Sequence, residues 1–214
     1  MNLNNGADMR IKICGITNLD DASLCQDLGA DAIGFIFYPG SKRYVPPEQV
    51  EEIVNHVSPL LLKIGVFVNE KTETVNKIIR FCRLHGAQLH GEESPQYVQQ
   101  IHYPVIKAFR VDNRFNFSVI SQYENCSFLL DTYSTDVYGG SGESFDWDCI
   151  PAGLRTTCLL AGGISTANIQ QVFQKVKPAG VDLSSAVESA PGKKDPQKLK
   201  AFFKQIEILR TTEY

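Results

Sequence analysis

Eight short apolar runs, all but the sixth followed by a segment of helical character, recur along the 214-residue chain at intervals of roughly 25 residues. The runs fall at 10–14, 32–37, 61–67, 87–90, 105–109, 127–131, 158–161 and 181–183. Helical segments start at Thr17-Asn18, Pro46-Pro47, after Asn69, at Ser94-Pro95, near 115–122, at 166 and at Pro196. Strands that alternate with helices pair in parallel. Eight of them favour an α/β fold closed as a single (β/α)8 TIM barrel over an open, doubly wound sheet. Both architectures use near-continuous apolar strands. No Gly-x-Gly-x-x-Gly follows the first run, which weighs against the dinucleotide-binding alternative. The expected organisation is an N-terminal tail over residues 1–9 and one barrel domain over 10–210.

Composition narrows the function. Hydrophobic residues make up 43% and charged residues 21%, ordinary values for a globular protein. The net charge of −3, with no long basic run, gives nucleic acid no electrostatic footprint. No apolar run approaches the length of a membrane span. Residues 1–8 lack the cationic start and apolar core of a signal peptide. The six cysteines are scattered, with no Cys-x-x-Cys pair, as in a cytoplasmic protein with reduced thiols. The expected working form is a monomer.

Within the first run, Arg10, Lys12 and Cys14 share one face, and Ile11 and Ile13 the other. In a barrel the isoleucines meet the outer helices and Lys12 and Cys14 point inward. Cys14 then sits at the strand's carboxyl end, where barrel active sites lie. A lysine one pleat below would help stabilise its thiolate, although a buried, inert cysteine is the commoner case. Asp131 ends the sixth run across the barrel; alone, such a residue is as readily a turn acid. A thiolate base facing a carboxylic acid suits proton transfer on one small substrate.

Gly162-Gly163 follows the seventh run and Ser184-Ser185 the eighth, where this fold usually binds phosphate. His90 and Gln88 point inward from the fourth. No carboxylate stands at metal-ligand spacing beside the histidines, so no metal site is expected. Arg43, in the loop after the second run, is placed to pair with a substrate carboxylate. Glycines 139, 140 and 142 suggest a lid between the sixth and seventh runs, with Phe145 and Trp147 anchoring its far end.

The chain resembles the phosphoribosylanthranilate isomerase family of tryptophan biosynthesis over residues 10 to about 205. The resemblance rests on Lys12-Ile13-Cys14-Gly15-Ile16-Thr17, Gly34-Phe35, Ser41-Lys42-Arg43-Tyr44 and Gly65-Val66-Phe67-Val68-Asn69. It continues through Gln88-Leu89-His90-Gly91, Leu129-Leu130-Asp131, Gly139-Gly140-Ser141-Gly142 and Phe145-Asp146-Trp147. Its last matches are Ala161-Gly162-Gly163, Val181-Asp182-Leu183-Ser184-Ser185-Ala186-Val187-Glu188 and Pro191-Gly192-Lys193-Lys194-Asp195. It implies a (β/α)8 barrel that catalyses an Amadori rearrangement of a phosphorylated small molecule, without cofactor or metal. It further implies Cys14 as general base and Asp131 as general acid. Arg43 is then the candidate for the anthranilate carboxylate, Asp182 for a substrate hydroxyl, and His90 for a further substrate contact. Ala186 stands where the family is expected to carry glycine, which would strain the phosphate loop if that position needs positive φ.

Two other readings compete. One is a different phosphate-binding barrel enzyme, such as a sugar-phosphate epimerase, an aldolase-like enzyme or an isomerase of the histidine-pathway aminoaldose. Against it stand the lack of metal ligands and of a clear Schiff-base lysine, for which Lys12 and Lys107 are the inward candidates. The other is a non-catalytic barrel that binds a phosphorylated ligand.

Overall fold

Alternation along each strand decides which side chains face the helices and which fill the barrel. The computed structural model describes residues 9–131 and 146–212. Its strands β1 (Arg10–Cys14), β2 (Ala32–Ile36), β3 (Leu62–Phe67), β4 (Gly86–Leu89), β5 (Val105–Arg110), β6 (Ser127–Asp131), β7 (Cys158–Ala161) and β8 (Gly180–Leu183) are parallel and neighbour one another in chain order. β8 pairs back onto β1, placing Lys12 opposite Asp182 and closing the barrel.

Ile11 and Ile13 of β1, Ile33 and Phe35 of β2, and Val181 and Leu183 of β8 point outward into one large core beneath the helices. Each fully buried side chain of this kind contributes about 1.5–3 kcal/mol. A second, smaller cluster of Ala108, Leu129 and Ala161, with Ile106 and Leu159 against it, fills the barrel interior. Lys107 alternates with those inward residues. Its ammonium therefore leaves the barrel and bonds Glu93 at 3.0 Å and the Gly91 carbonyl at 2.7 Å, so it is no Schiff-base candidate.

The outer layer is α1 (Leu19–Asp27), α2 (Pro47–Asn55), α3 (Thr72–Phe81), α4 (Pro95–Val98), α5 (Ala152–Arg155), α6 (Ile169–Gln171) and α7 (Pro196–Thr212). Asn18 caps α1 by accepting from the Asp21 N–H at 2.9 Å, and Gly29 leaves it with φ +86°. Segment 115–122 is a 3-10 helix at Phe117–Gln122 rather than an α-helix. Its Phe, Ser, Val and Ile content favours no α-helix. The helix expected from 166 begins at Ile169 and continues as a π-turn over Val172–Val176.

Several elements are unanticipated, α5 among them. A hairpin of β9 (Glu188–Ala190) and β10 (Lys193–Lys194) turns at Gly192, whose φ is +80°, before α7. Met9, the last residue of the expected tail, is buried, and its carbonyl accepts from Arg210. Residues 1–8 and the glycine-rich loop up to Phe145 lie outside the described residues. Trp147 packs half-buried against the outer core.

Candidate active site

The cavity floor is built by β1, β2 and β8. Lys12 Nζ sits 3.0 Å from both carboxylate oxygens of Asp182, and both residues are buried. Gly34 lies beside Cys14 in the register of β1 and β2. A Cβ at Gly34 would stand 2.9 Å from Cys14 Sγ and 3.0 Å from Lys12 Nζ, so only glycine leaves room for both groups. Burial alone would lower the Lys12 pKa, but Asp182 and Cys14 reverse it, and the ammonium is held above its ordinary value. The Cys14 thiol is pushed up by burial despite the opposing charges of Lys12 and Lys194. Lys12 thus stands where expected, yet the resting residue is a thiol and must lose its proton to act as a base. Asp182, the expected hydroxyl contact, is committed to Lys12 and pushed up by burial.

Across the barrel, Asp131 ends β6 and His90 follows β4. His90 Nε2 lies 3.2 Å from Asp131 Oδ2, and its Nδ1 lies 3.0 Å from Gln88 Nε2. With the Gln88 amide donating to Nδ1, the ring proton sits on Nε2 and faces Asp131. Gln88 Oε1 is buried without a hydrogen-bond partner among the described residues.

Arg43 projects over Gly15, where an added Cβ would meet Arg43 Cδ at 2.7 Å and where φ is +78°. Its fork is occupied. Nε stands 2.9 and 3.0 Å from the Glu188 oxygens, and Nη2 stands 2.7 Å from one of them. A substrate carboxylate must therefore use the guanidinium's remaining edge or displace Glu188.

Beside β7 and β8, Gly162 and Gly163 have φ +86° and +66°, a conformation that side-chain-bearing residues rarely adopt. Asn168 fixes this loop by accepting from the Ser165 N–H and donating to the Gly163 carbonyl, both at 2.9 Å. Ser184 Oγ is buried with no partner among the described residues. Ser185 opens the 3-10 turn Ser185–Val187, and Ala186 within it does not have positive φ. Alanine there causes no αL strain.

Cys14, Arg43, His90, Asp131 and Asp182, together with the glycine pair 162–163 and the serine pair 184–185, line one cavity of about 230 Å³ at the carboxyl ends of the strands. Among the described residues, no group of three or more His, Cys, Asp or Glu could hold a metal ion. The residues that sequence reasoning missed are Glu188 and Lys194, which brace the cavity from β9 and β10. Both fall within stretches that carry the family resemblance, but no role was read for either from the sequence.

Fold and cavity define a (β/α)8 barrel with a thiol, Cys14, a carboxyl group, Asp131, and a rim of small residues on one cavity. Residues 11–205 match the family model described as N-(5'phosphoribosyl)anthranilate (PRA) isomerase, and the chain belongs to that family. The N-(5'-phosphoribosyl)anthranilate isomerase of Pelobacter propionicus is 44% identical over 197 residues, covering 92% of this chain and 94% of that one. The crystal structure of phosphoribosyl anthranilate isomerase from Thermotoga maritima aligns with a TM-score of 0.85 at 42% identity, over 93% of this chain and 98% of that one. The T. maritima protein is dimeric, and monomers generated from it have also been solved. A third structure, a complex of the isomerase with reduced 1-(o-carboxyphenylamino)-1-deoxyribulose 5-phosphate, aligns at 0.80 and 38% identity, over 93% and 98% of the two chains.

Proposed function

We propose that the chain catalyses the Amadori rearrangement of N-(5-phosphoribosyl)anthranilate to 1-(2-carboxyphenylamino)-1-deoxyribulose 5-phosphate in tryptophan biosynthesis. The family match over residues 11–205 carries this reading. In the proposed sequence, Asp131 protonates the furanose ring oxygen and the ring opens to a Schiff base. Cys14, as thiolate, removes the proton from the second sugar carbon. The resulting enolamine tautomerises to the ketone, which leaves Asp131 ionised and Cys14 a thiol. Return of one proton from the thiol to Asp131 through solvent restores the reactive pair, so the isomerisation balances with no co-reactant. The glycine pair and the serine pair are proposed to take the phosphate, since left-handed glycines admit close backbone approach and Ser184 Oγ has no partner among the described residues. Arg43 and His90 are proposed to contact the anthranilate half and the sugar.

The proposed working unit is a cytoplasmic monomer. All six cysteines are free, which supports a reducing compartment. Sedimentation equilibrium tests the monomer, and a stable dimer, as in T. maritima, would overturn it. The test of function is fluorescence-monitored turnover of freshly generated N-(5-phosphoribosyl)anthranilate by the purified protein. Loss of the substrate's anthranilate fluorescence with product formation supports the proposal. A folded protein that leaves this substrate unchanged refutes it.

A further inference from the structure

A cluster of buried charges beneath the cavity takes part in no step above. Lys194 of β10 is fully enclosed. Its ammonium donates to the Cys14 carbonyl at 2.6 Å and to Glu188 Oε1 at 2.9 Å, and it reaches the Ser184 carbonyl at 3.5 Å. Its backbone N–H donates to Asp21 Oδ2 at 2.8 Å, in the first turn of α1. Through Glu188 the same cluster grips Arg43. One ammonium thereby joins the backbone of the thiol-bearing residue, the loop after β8 and the arginine of the loop after β2.

We propose that Lys194 is a positioning residue for the Cys14 base, holding the Cys14 backbone in place and setting a positive charge beside the thiol as its proton leaves. Glu188 is the moderator: it partly neutralises Lys194 and at the same time orients Arg43. This inference rests on the reading of Cys14 as base.

The placement of charge supports it. Arg43 and Lys194 against Glu188 and Asp21 leave no net charge, as does the adjacent Lys12–Asp182 pair. Of these four groups it is the Lys194 ammonium that bonds the Cys14 backbone itself, so a positive charge stands beside the thiol. Because the cluster is buried, solvent screens it little. The charged groups facing Cys14 are Lys12, Asp182, Lys194 and Arg43. Those facing Lys194 are Glu188 and, from α1, Asp21, with the buried Cys25 thiol alongside. A structural strut alone would need the hydrogen bonds of Lys194 but would not make the ionisation of Cys14 follow the local charge.

The test compares wild type with Lys194→Met and Glu188→Gln. Alkylation of Cys14 by iodoacetamide is followed across pH by fragment mapping, alongside kcat and KM. Removing the ammonium should slow alkylation near neutral pH about tenfold, one pKa unit upward, and lower kcat more than it raises KM. Glu188→Gln should act in the opposite sense on the thiol, speeding alkylation, while raising KM through a loosened Arg43. Alkylation unchanged in both folded variants, or shifted the same way in both, overturns the proposal. Should Lys194→Met fail to fold, Glu188→Gln decides alone, with acceleration supporting the proposal and an unchanged or slower rate refuting it. The alkylation readout is independent of turnover. If Cys14→Ser keeps full activity, it is the base assignment that fails.

Discussion

His90 Nε2 and Asp131 Oδ2 lie 3.2 Å apart, joining the ends of two strands that are not neighbours in the barrel. The contact limits how the Asp131 carboxyl group can rotate, and Gln88 fixes the imidazole behind it. An acid that must deliver a proton to one ring oxygen gains from such alignment. His90→Ala should therefore lower kcat by about 10- to 100-fold, in addition to the rise in KM from its lost substrate contact. Steady-state kinetics decides. A raised KM with unchanged kcat would leave His90 a substrate contact with no part in aligning the acid.

Cys14→Ser and Asp131→Asn each remove one proton-transfer group while keeping its size. Each should cost about 10²- to 10⁴-fold in kcat, the usual contribution of a positioned acid or base. Neither should unfold the protein, because each substitution keeps the side chain's size and Cys14 and Asp131 both stand at a strand end. Turnover within about threefold of wild type in either well-folded variant would remove that residue from the mechanism.

The barrel was legible because its signals are local. Eight apolar runs of the right length, with Asn18, Ser94 and Pro47 at helix starts, need no tertiary information to be read. Parity likewise placed Lys12, Cys14, Asp131 and Asp182 on inward faces. What parity does not reveal is partner choice. That Asp182 would be committed to Lys12 depends on the registration of β8 against β1, 170 residues apart in the chain. Glu188 and Lys194 sit on strands of three and two residues, too short for any alternation to show. The stance of Lys107, outward against Glu93, was open until β5 was paired with its neighbours.

The Lys12–Asp182 pair makes a separable prediction. Each partner is buried, so removing one leaves an uncompensated charge, at a cost of about 3–5 kcal/mol. Lys12→Met and Asp182→Leu should each destabilise by that order, and the double variant should recover much of the loss. Urea denaturation of the four proteins forms the cycle. Additive losses would show that the two charges do not depend on one another.

Gly34→Ala tests the packing of the thiol. The new methyl would sit 2.9 Å from Cys14 Sγ, 3.0 Å from Lys12 Nζ and 3.3 Å from the Cys14 Cα. The last is backbone and cannot swing away. Overpacking of this kind costs about 1–3 kcal/mol, and the displaced thiol should cut kcat about 100-fold. Ala186→Gly is the contrasting control: with no positive φ at that position, glycine should leave KM unchanged. A tighter KM in that variant would mean that the loop is strained by its alanine after all.

Glu188 predicts how stability responds to acid. Burial alone would raise its pKa, but hydrogen bonds from Arg43 and Lys194 outweigh it and hold the carboxyl below the ordinary value of 4.5. A carboxylate held low in the folded state binds its proton more readily when unfolded. Its contribution is therefore fully present above pH 4.5 and is lost as the pH falls through the lower folded value. Glu188→Gln has no such proton to gain. Its unfolding free energy should start lower at pH 7 and then fall less between pH 5 and pH 3 than that of wild type. Urea denaturation at half-unit pH steps measures both slopes. Parallel curves over that window would show that the Arg43–Glu188–Lys194 cluster contributes nothing to acid stability, and so that its charges are not coupled in the folded protein.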